Sequence, residues 1–242
     1  MDVIILPLSG RLALVTGGTR GIGAATVTCL LQQGARVVAT GREPGSQAPP
    51  GAEYRAVNFS RAADTEAFAA SLAADPIDIL INNAGINRIA PFTELPVEDF
   101  DEILAVNLRA AYLLCRAVLP GMRARRWGRI LNVSSVFGVV SKEFRGPYSA
   151  SKFALDGMTA GLAAEVASDG VLANCVAPGF VDTELTRRVL GEEGMRAMAA
   201  RVPIGRLAQP VEIARFIAWL AGPDNTYISG QTLLIDGGFT RV

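Results

Sequence analysis

The 242-residue chain is 50% hydrophobic and 19% charged, which excludes disorder and suits one large α/β domain spanning residues 1–242. Lysine plus arginine and aspartate plus glutamate both number 23, so no net field draws nucleic acid or an anionic membrane surface. Histidine is absent, which removes the commonest general base, Cys–His pairs and every His-dependent zinc site.

Cys29, Cys115 and Cys175 lie far apart in apolar stretches and form neither a CxxC pair nor a thiolate cage, so they read as buried fillers and no metal is expected. Met1 to Leu8 has no basic leader region. No apolar run reaches the about 18 residues of a membrane span, so a cytoplasmic protein is expected.

Leu12 to Val15 reads as a strand that stops at Thr16-Gly17-Gly18. From Gly21 the spacing of Ile22, Ala25, Val27, Leu30 and Leu31 predicts a helix ending at Gly34. The loop between them, Thr16 to Gly23, places glycines at a strand-to-helix turn. Gly17 there is free to take positive φ, while Gly21 and Gly23 allow close approach of a pyrophosphate to the helix N-terminus.

The second strand, Arg36 to Thr40, ends at Gly41. An acid at that end would bind the adenosine ribose of NAD, whereas this chain carries Gly41 and then Arg42, whose guanidinium suits a 2′-phosphate. Arg20 in the glycine loop is a second cation for the same phosphate, and Glu43 is an opposing charge. NADP(H) is therefore favoured over NAD(H).

Glu43 to Gly51 reads as a loop. Strands follow at Tyr54 to Val57, Ile77 to Ile81, Arg129 to Val133, Val171 to Val176 and Gln231 to Ile235, with helical segments between them. Strands apolar on both faces that alternate with helices predict a doubly wound, Rossmann-type parallel seven-stranded sheet with helices on both faces.

Ile130 to Val133 runs into Ser134-Ser135, placing hydroxyls where open α/β sheets bind ligands. Ser135 and Ser134 point to opposite faces, which leaves Ser134 as a strand-end hydroxyl. Tyr148 and Lys152 share one face of a helix that continues through Leu155, Met158 and Leu162. An ammonium about 4 Å from the phenol contributes roughly 4 kcal/mol at an effective dielectric of 20, enough to make tyrosine an acid-base group near neutral pH.

In this order the chain carries Thr16 to Gly23, Asn82-Asn83-Ala84-Gly85, Asn107, Ser135, Tyr148 with Lys152, and Pro178-Gly179 followed by Thr183. The series resembles the short-chain dehydrogenase/reductase family over nearly the whole length. The resemblance implies a ketone/secondary-alcohol oxidoreductase in which Tyr148 donates the proton and Ser135 polarises the carbonyl. Lys152 would lower the Tyr148 pKa and bind the nicotinamide ribose, and Asn107 would hold a relay water. It also implies cofactor contacts from Gly17, Thr19, Arg20, Gly21, Ile22, Gly23, Gly41, Arg42, Asn58, Phe59, Asn83, Ala84, Gly85, Tyr148, Lys152, Pro178, Gly179, Val181 and Thr183. A homotetramer packed through the helices around Asn107 and Tyr148 and through the C-terminal region is implied as well.

Substrate-facing positions are expected at Asn87 and Arg88, between Val136 and Arg145, and from Phe180 to Pro203. The second stretch sets Phe137, Val139 and Phe144 beside Lys142, Glu143 and Arg145, a mixture suited to a polar or anionic ketone. Overall layout is similar to that of 3-oxoacyl thioester reductases acting on acyl carrier protein. Arg126 matches one of their basic docking positions, but Asp169 stands at the other and would repel an acidic carrier. Arg123, Arg125, Arg126 and Arg129 read equally as a docking cluster and as a solvated helix end. A sugar or polyol dehydrogenase, and a non-catalytic dinucleotide-binding module, are the competing readings.

Overall fold

A computed structural model describes residues 6–242, apart from the side chains of Leu185 and Val189. Most of Met1 to Leu8, the stretch read for a leader, lies outside those residues. The apolar runs form β1 (Leu12–Val15), β2 (Arg36–Gly41), β3 (Glu53–Ala56), β4 (Ile79–Asn82), β5 (Gly128–Val133), β6 (Val171–Pro178) and β7 (Thr232–Ile235). They make one seven-stranded sheet ordered β3-β2-β1-β4-β5-β6-β7, with every neighbouring pair parallel. Observed ends differ from the expected ones by one or two residues, because strand pairing rather than the apolar run sets where each ladder stops.

Between the strands lie α1 (Gly21–Gln32), α2 (Ala62–Ser71), α3 (Val97–Leu104), α4 (Ala110–Ala124), α5 (Gly146–Val166), α6 (Glu184–Arg201) and α7 (Pro210–Leu220). Alternate strand residues serve opposite layers. Ala13 and Val15 join Val27 and Leu30 of α1 and Ile213 and Ile217 of α7 in one core. Leu12 and Leu14 join Phe68 of α2, Leu114 and Met122 of α4 and Ala163 of α5 in the other. β1, β4 and β5 are buried throughout, which explains why their sequences are apolar on both faces.

Strand order reverses between β1 and β4, so the crevice beyond their C-terminal ends is where this topology binds ligands. The glycine loop, the Asn82 to Gly85 turn, Ser135 and the Pro178-Gly179 pair all follow the C-terminal ends of strands in that region.

One feature was outside the sequence reading. A π-helical turn at Ala105–Arg109 joins α3 to α4 into one 28-residue helix, Val97–Ala124, with a window of mean hydropathy 1.5. That helix is long and apolar enough to span a membrane by length and composition, although Asn107, Arg109 and Arg116 interrupt its apolar run. Here its apolar side is part of the domain core, through Ile103, Val106, Ala110, Leu114, Val118 and Met122. The three cysteines are free and buried, and burial pushes the Cys115 thiol up to about 12 and that of Cys175 up to about 11, which makes both poor nucleophiles.

Candidate active site

Helix α1 begins with its N–H groups uncommitted to side chains: no side-chain cap and no acidic residue occupies its first turn. Such an end stabilises an anion. A Cβ at Gly23 would stand 2.1 Å from the Gly17 carbonyl oxygen, so only glycine lets α1 close on its own loop. Gly21 has φ +55°, and its open side faces the Thr183 methyl, which a Cβ would meet at 3.5 Å. The loop and Thr183 thus oppose each other across the crevice.

The turn after β4 holds this loop in place. Thr16 Oγ1 accepts from Asn83 N and Ala84 N, both at 2.9 Å. Asn83 Nδ2 donates to the carbonyls of Thr16 at 2.9 Å and Gly17 at 3.1 Å. Thr40 Oγ1 accepts from Gly17 N at 3.3 Å. Thr16 and Thr40 were not singled out from the sequence, because their role depends on strands that meet only in the sheet.

At the other end of the crevice, a cavity of about 570 Å³ is lined by Arg42, Glu43, Asn58 and Arg61, among others. A Cβ at Gly41 would lie 2.9 Å from both Thr19 Cγ2 and the Tyr54 hydroxyl, so a carboxylate side chain is sterically opposed there. Arg42 pairs with Glu43 at 3.0 Å with both side chains well exposed, a contact weak enough to be exchanged for a phosphate. Asn58 faces this cavity, whereas the Phe59 ring is buried edge-on against Phe68. A helix end, a glycine cradle and a cation-lined cavity along one crevice fit the pyrophosphate and adenosine phosphate of a nicotinamide dinucleotide.

The expected catalytic residues converge between β5, α5 and the π-helical turn. Ser135 Oγ accepts from Phe137 N at 3.2 Å and lies close enough to the Tyr148 phenol to favour its ionised form. Lys152 is 3% exposed and donates to the Val133 carbonyl at 2.7 Å. Its Nζ and Asn107 Oδ1 both approach Gly85, where a Cβ would meet them at 3.6 and 3.5 Å. Asn107 accepts from Ile86 N at 2.8 Å and donates to Ile86 O at 2.9 Å and to Ser151 Oγ at 3.0 Å. Ser134 is buried with its hydroxyl bonded to Lys152 O, consistent with a strand-end role.

The charges around the phenol differ from the sequence expectation. Burial pushes the Tyr148 pKa up, opposed by the Ser135 hydroxyl and by the charge of Arg145. Lys152, itself lowered by burial to about 8, stands 5.7 Å over the Tyr148 ring with its amine bonded to a carbonyl. Arg145, three residues upstream, is a second cation whose charge acts on the phenol. The remaining expected residues lie along the same crevice: Pro178 ends β6 with Gly179 next to it, and Val181 is buried and bridged to Ala208.

A family model described as enoyl-(acyl carrier protein) reductase matches residues 17–240. The 3-oxoacyl-(acyl-carrier-protein) reductase FabG of Vibrio cholerae is 41% identical over 243 residues, covering 97% of this chain and 99% of that protein. The enzyme of the same name from Escherichia coli is 38% identical, with 96% and 98% covered. Among solved structures, a gluconate 5-dehydrogenase from Burkholderia cenocepacia in complex with NADP and tartrate superposes with a TM-score of 0.88 at 33% identity, covering 97% of each chain. A short-chain dehydrogenase/reductase family protein superposes equally well, with a TM-score of 0.88 at 36% identity over 97% of this chain and all of the other. Sheet order, crevice geometry and full-length similarity agree, and the chain belongs to the short-chain dehydrogenase/reductase family of oxidoreductases.

Proposed function

We propose that this chain interconverts a ketone and a secondary alcohol with NADP(H). The observation that carries the proposal is the gathering of the Ser135 hydroxyl at the end of β5 with Tyr148 and the buried, Val133-bonded Lys152, one turn apart on α5. Two hydroxyls at one point suit a carbonyl oxygen that becomes an alkoxide. NADPH, held by the glycine loop and the Arg42 cavity, would supply hydride to the carbonyl carbon. Ser135 donates a hydrogen bond to the oxygen, and Tyr148 transfers its phenolic proton there as negative charge develops. Lys152, with a pKa of about 8, is poised to return a proton towards the phenol near neutral pH. Both amide hydrogens of Asn107 are engaged, so a relay water at this residue would use the second lone pair of Oδ1 or the main chain of the π-helical turn.

Preference for NADP(H) is supported by Arg42 in the adenosine-end cavity and by the glycine at the end of β2. Thioesters of 3-oxo acids are the first substrate class to test, since they appear in the names of full-length relatives. Docking of an acidic carrier is disfavoured, because Asp169 already pairs with Arg123 at 2.7 Å and Arg126 at 3.7 Å. Polyhydroxy acids are the second class, favoured by the gluconate 5-dehydrogenase likeness.

A homotetramer is supported by two half-covered apolar surfaces. On α4 and α5, Tyr112 and Phe153 are exposed beside a hollow lined by Leu104, Leu108, Ala154 and Met158. At the sheet edge, β7 is only partly buried and Trp219 of α7 is exposed. Cytoplasmic residence fits the three free thiols.

The test is oxidation of NADPH and NADH by the purified protein against 3-oxoacyl thioesters, oxo derivatives of sugar acids and neutral ketones, with Tyr148→Phe as control. Turnover with NADPH on any of these, lost in the variant, is expected. Tight NADPH binding with no ketone reduced would replace the enzyme with a dinucleotide-binding module.

A further inference from the structure

Cations near the catalytic hydroxyls are held by protein partners or, like Arg201 over the Phe239 ring, exposed to solvent, and Arg145 is neither. Lys152 bonds Val133 O, Lys142 lies 3.5 Å from Glu143, and Arg88 pairs with Asp99 and Glu102. Arg145 is half-buried, yet its guanidinium has neither a carboxylate partner nor a hydrogen-bond acceptor among the described residues. Its Cζ sits 5.7 Å from the centroid of Phe137, the second residue after Ser135, and its charge is felt by Tyr148.

Local structure holds this cation where folding alone disfavours it. Burial acts against its charged form. Arg145 is also the N-cap of the 21-residue helix α5, whose first turn contains no acid, so a positive charge faces the positive end of the helix dipole. The preceding residue, Phe144, has φ +64°, a left-handed conformation that is costly for an aromatic residue. Two unfavourable features thus bear on one side chain beside the reacting hydroxyls, next to a strained residue, and a ligand that satisfies the guanidinium offsets both.

Beyond Phe137 the wall continues through Phe180, 6.2 Å away, and Phe239, a further 5.1 Å, both edge to face. A ligand at Arg145 therefore has an apolar surface alongside. One planar guanidinium matches one carboxylate through paired N–H donors.

We propose that Arg145 is the specificity-determining residue of this site and binds a carboxylate carried by the ketone substrate itself, so that short oxo acids are preferred over neutral ketones and thioesters. The inference rests on the ketone-reductase reading above and narrows its substrate class. An acyl thioester offers no anion at this point, and the phosphate of a carrier arm lies many bonds from its carbonyl.

The experiment compares kcat/KM for 4-oxopentanoate and its methyl ester, and for 3-oxobutanoate, its methyl ester and its thioester. NADPH is the reductant, and the proteins are wild type, Arg145→Gln and Arg145→Lys. The acid-to-ester ratio removes any effect of Arg145 on Tyr148 that both substrates share. The wild type should favour the acid, Arg145→Gln should lower the ratio by about 10- to 100-fold, and Arg145→Lys should retain part of it. Calorimetry of the same acid and ester with NADPH-loaded Tyr148→Phe protein, with and without Arg145→Gln, reads the contact without turnover. A wild-type ratio near one, an unchanged ratio in Arg145→Gln, or equal binding of acid and ester overturns the inference. Reduction of esters or thioesters alone would overturn it and leave the ketone-reductase reading standing. Failure to reduce any ketone would end that reading, with calorimetry still deciding the role of Arg145.

Discussion

Replacing Lys152 with methionine should abolish turnover and yet stabilise the fold. The amine is almost fully buried, its hydrogen bond goes to the neutral Val133 carbonyl, and no carboxylate pairs with it among the described residues. Burial lowers its pKa from 10.5 to about 8, and at about 1.4 kcal/mol per pH unit this withholds about 3 kcal/mol of stability at neutral pH. Methionine removes that cost but leaves the Val133 carbonyl without its donor, a loss of about 1 kcal/mol. The net gain is about 2 kcal/mol, or roughly 4–8 °C in Tm for a chain of this size. The sign with pH is specific. Below pH 8 both folded and unfolded wild-type chains carry the proton and the penalty is complete. Between about 8 and 10.5 the unfolded chain holds the proton while the folded one has lost it, so wild-type stability rises with pH relative to the variant. Urea unfolding of both proteins at matched concentration, from pH 7 to 9.5, measures this difference. A gap that stays constant across that range, or a variant less stable than wild type at pH 7, would refute the reasoning.

Tyr148→Phe should lower kcat by about 10²- to 10⁴-fold, the usual contribution of a positioned proton donor, with NADPH affinity preserved in a fluorescence titration. Substantial residual turnover would remove Tyr148 from that role. Arg42→Ala should raise the Kd for NADPH by about 10-fold or more and leave NADH nearly unchanged, as expected for a lost charge-assisted contact. Equal losses would mean that Arg42 does not read the 2′-phosphate. Asn83→Ala removes two of the four bonds between the turn after β4 and the glycine loop and should cost about 1–3 kcal/mol of stability while weakening both dinucleotides alike. Selective loss of one dinucleotide would contradict a purely positioning role for this amide.

Legibility followed the range of the interactions. The glycine loop was readable because its constraint is local: Gly23 must lack a Cβ to let α1 meet its own loop. Ser135, Tyr148 and Lys152 were readable from strand-end and helix-face positions together with a known motif order. The roles of Thr16 and Thr40 were not, since their acceptors and donors come from strands far away in sequence. Neither was the service of Asn107 to the Ile86 backbone, which depends on a π-helical turn that leaves no mark in apolar periodicity. The 28-residue helix shows the same limit, because an apolar window suitable for lipid is here part of a protein core.

The parallel doubly wound sheet came from the sequence alone, because it depends on short-range periodicity, whereas the proposed catalytic set came from the family's motif order. Tertiary structure alone decided which charges act on those residues. Lys152 turned out to be bonded to Val133 O and weakened by burial, while Arg145, outside the motif, supplies a charge that opposes burial at Tyr148. Electrostatic strength depends on distance and solvent exposure, and both are fixed only when α5 and β5 have packed together.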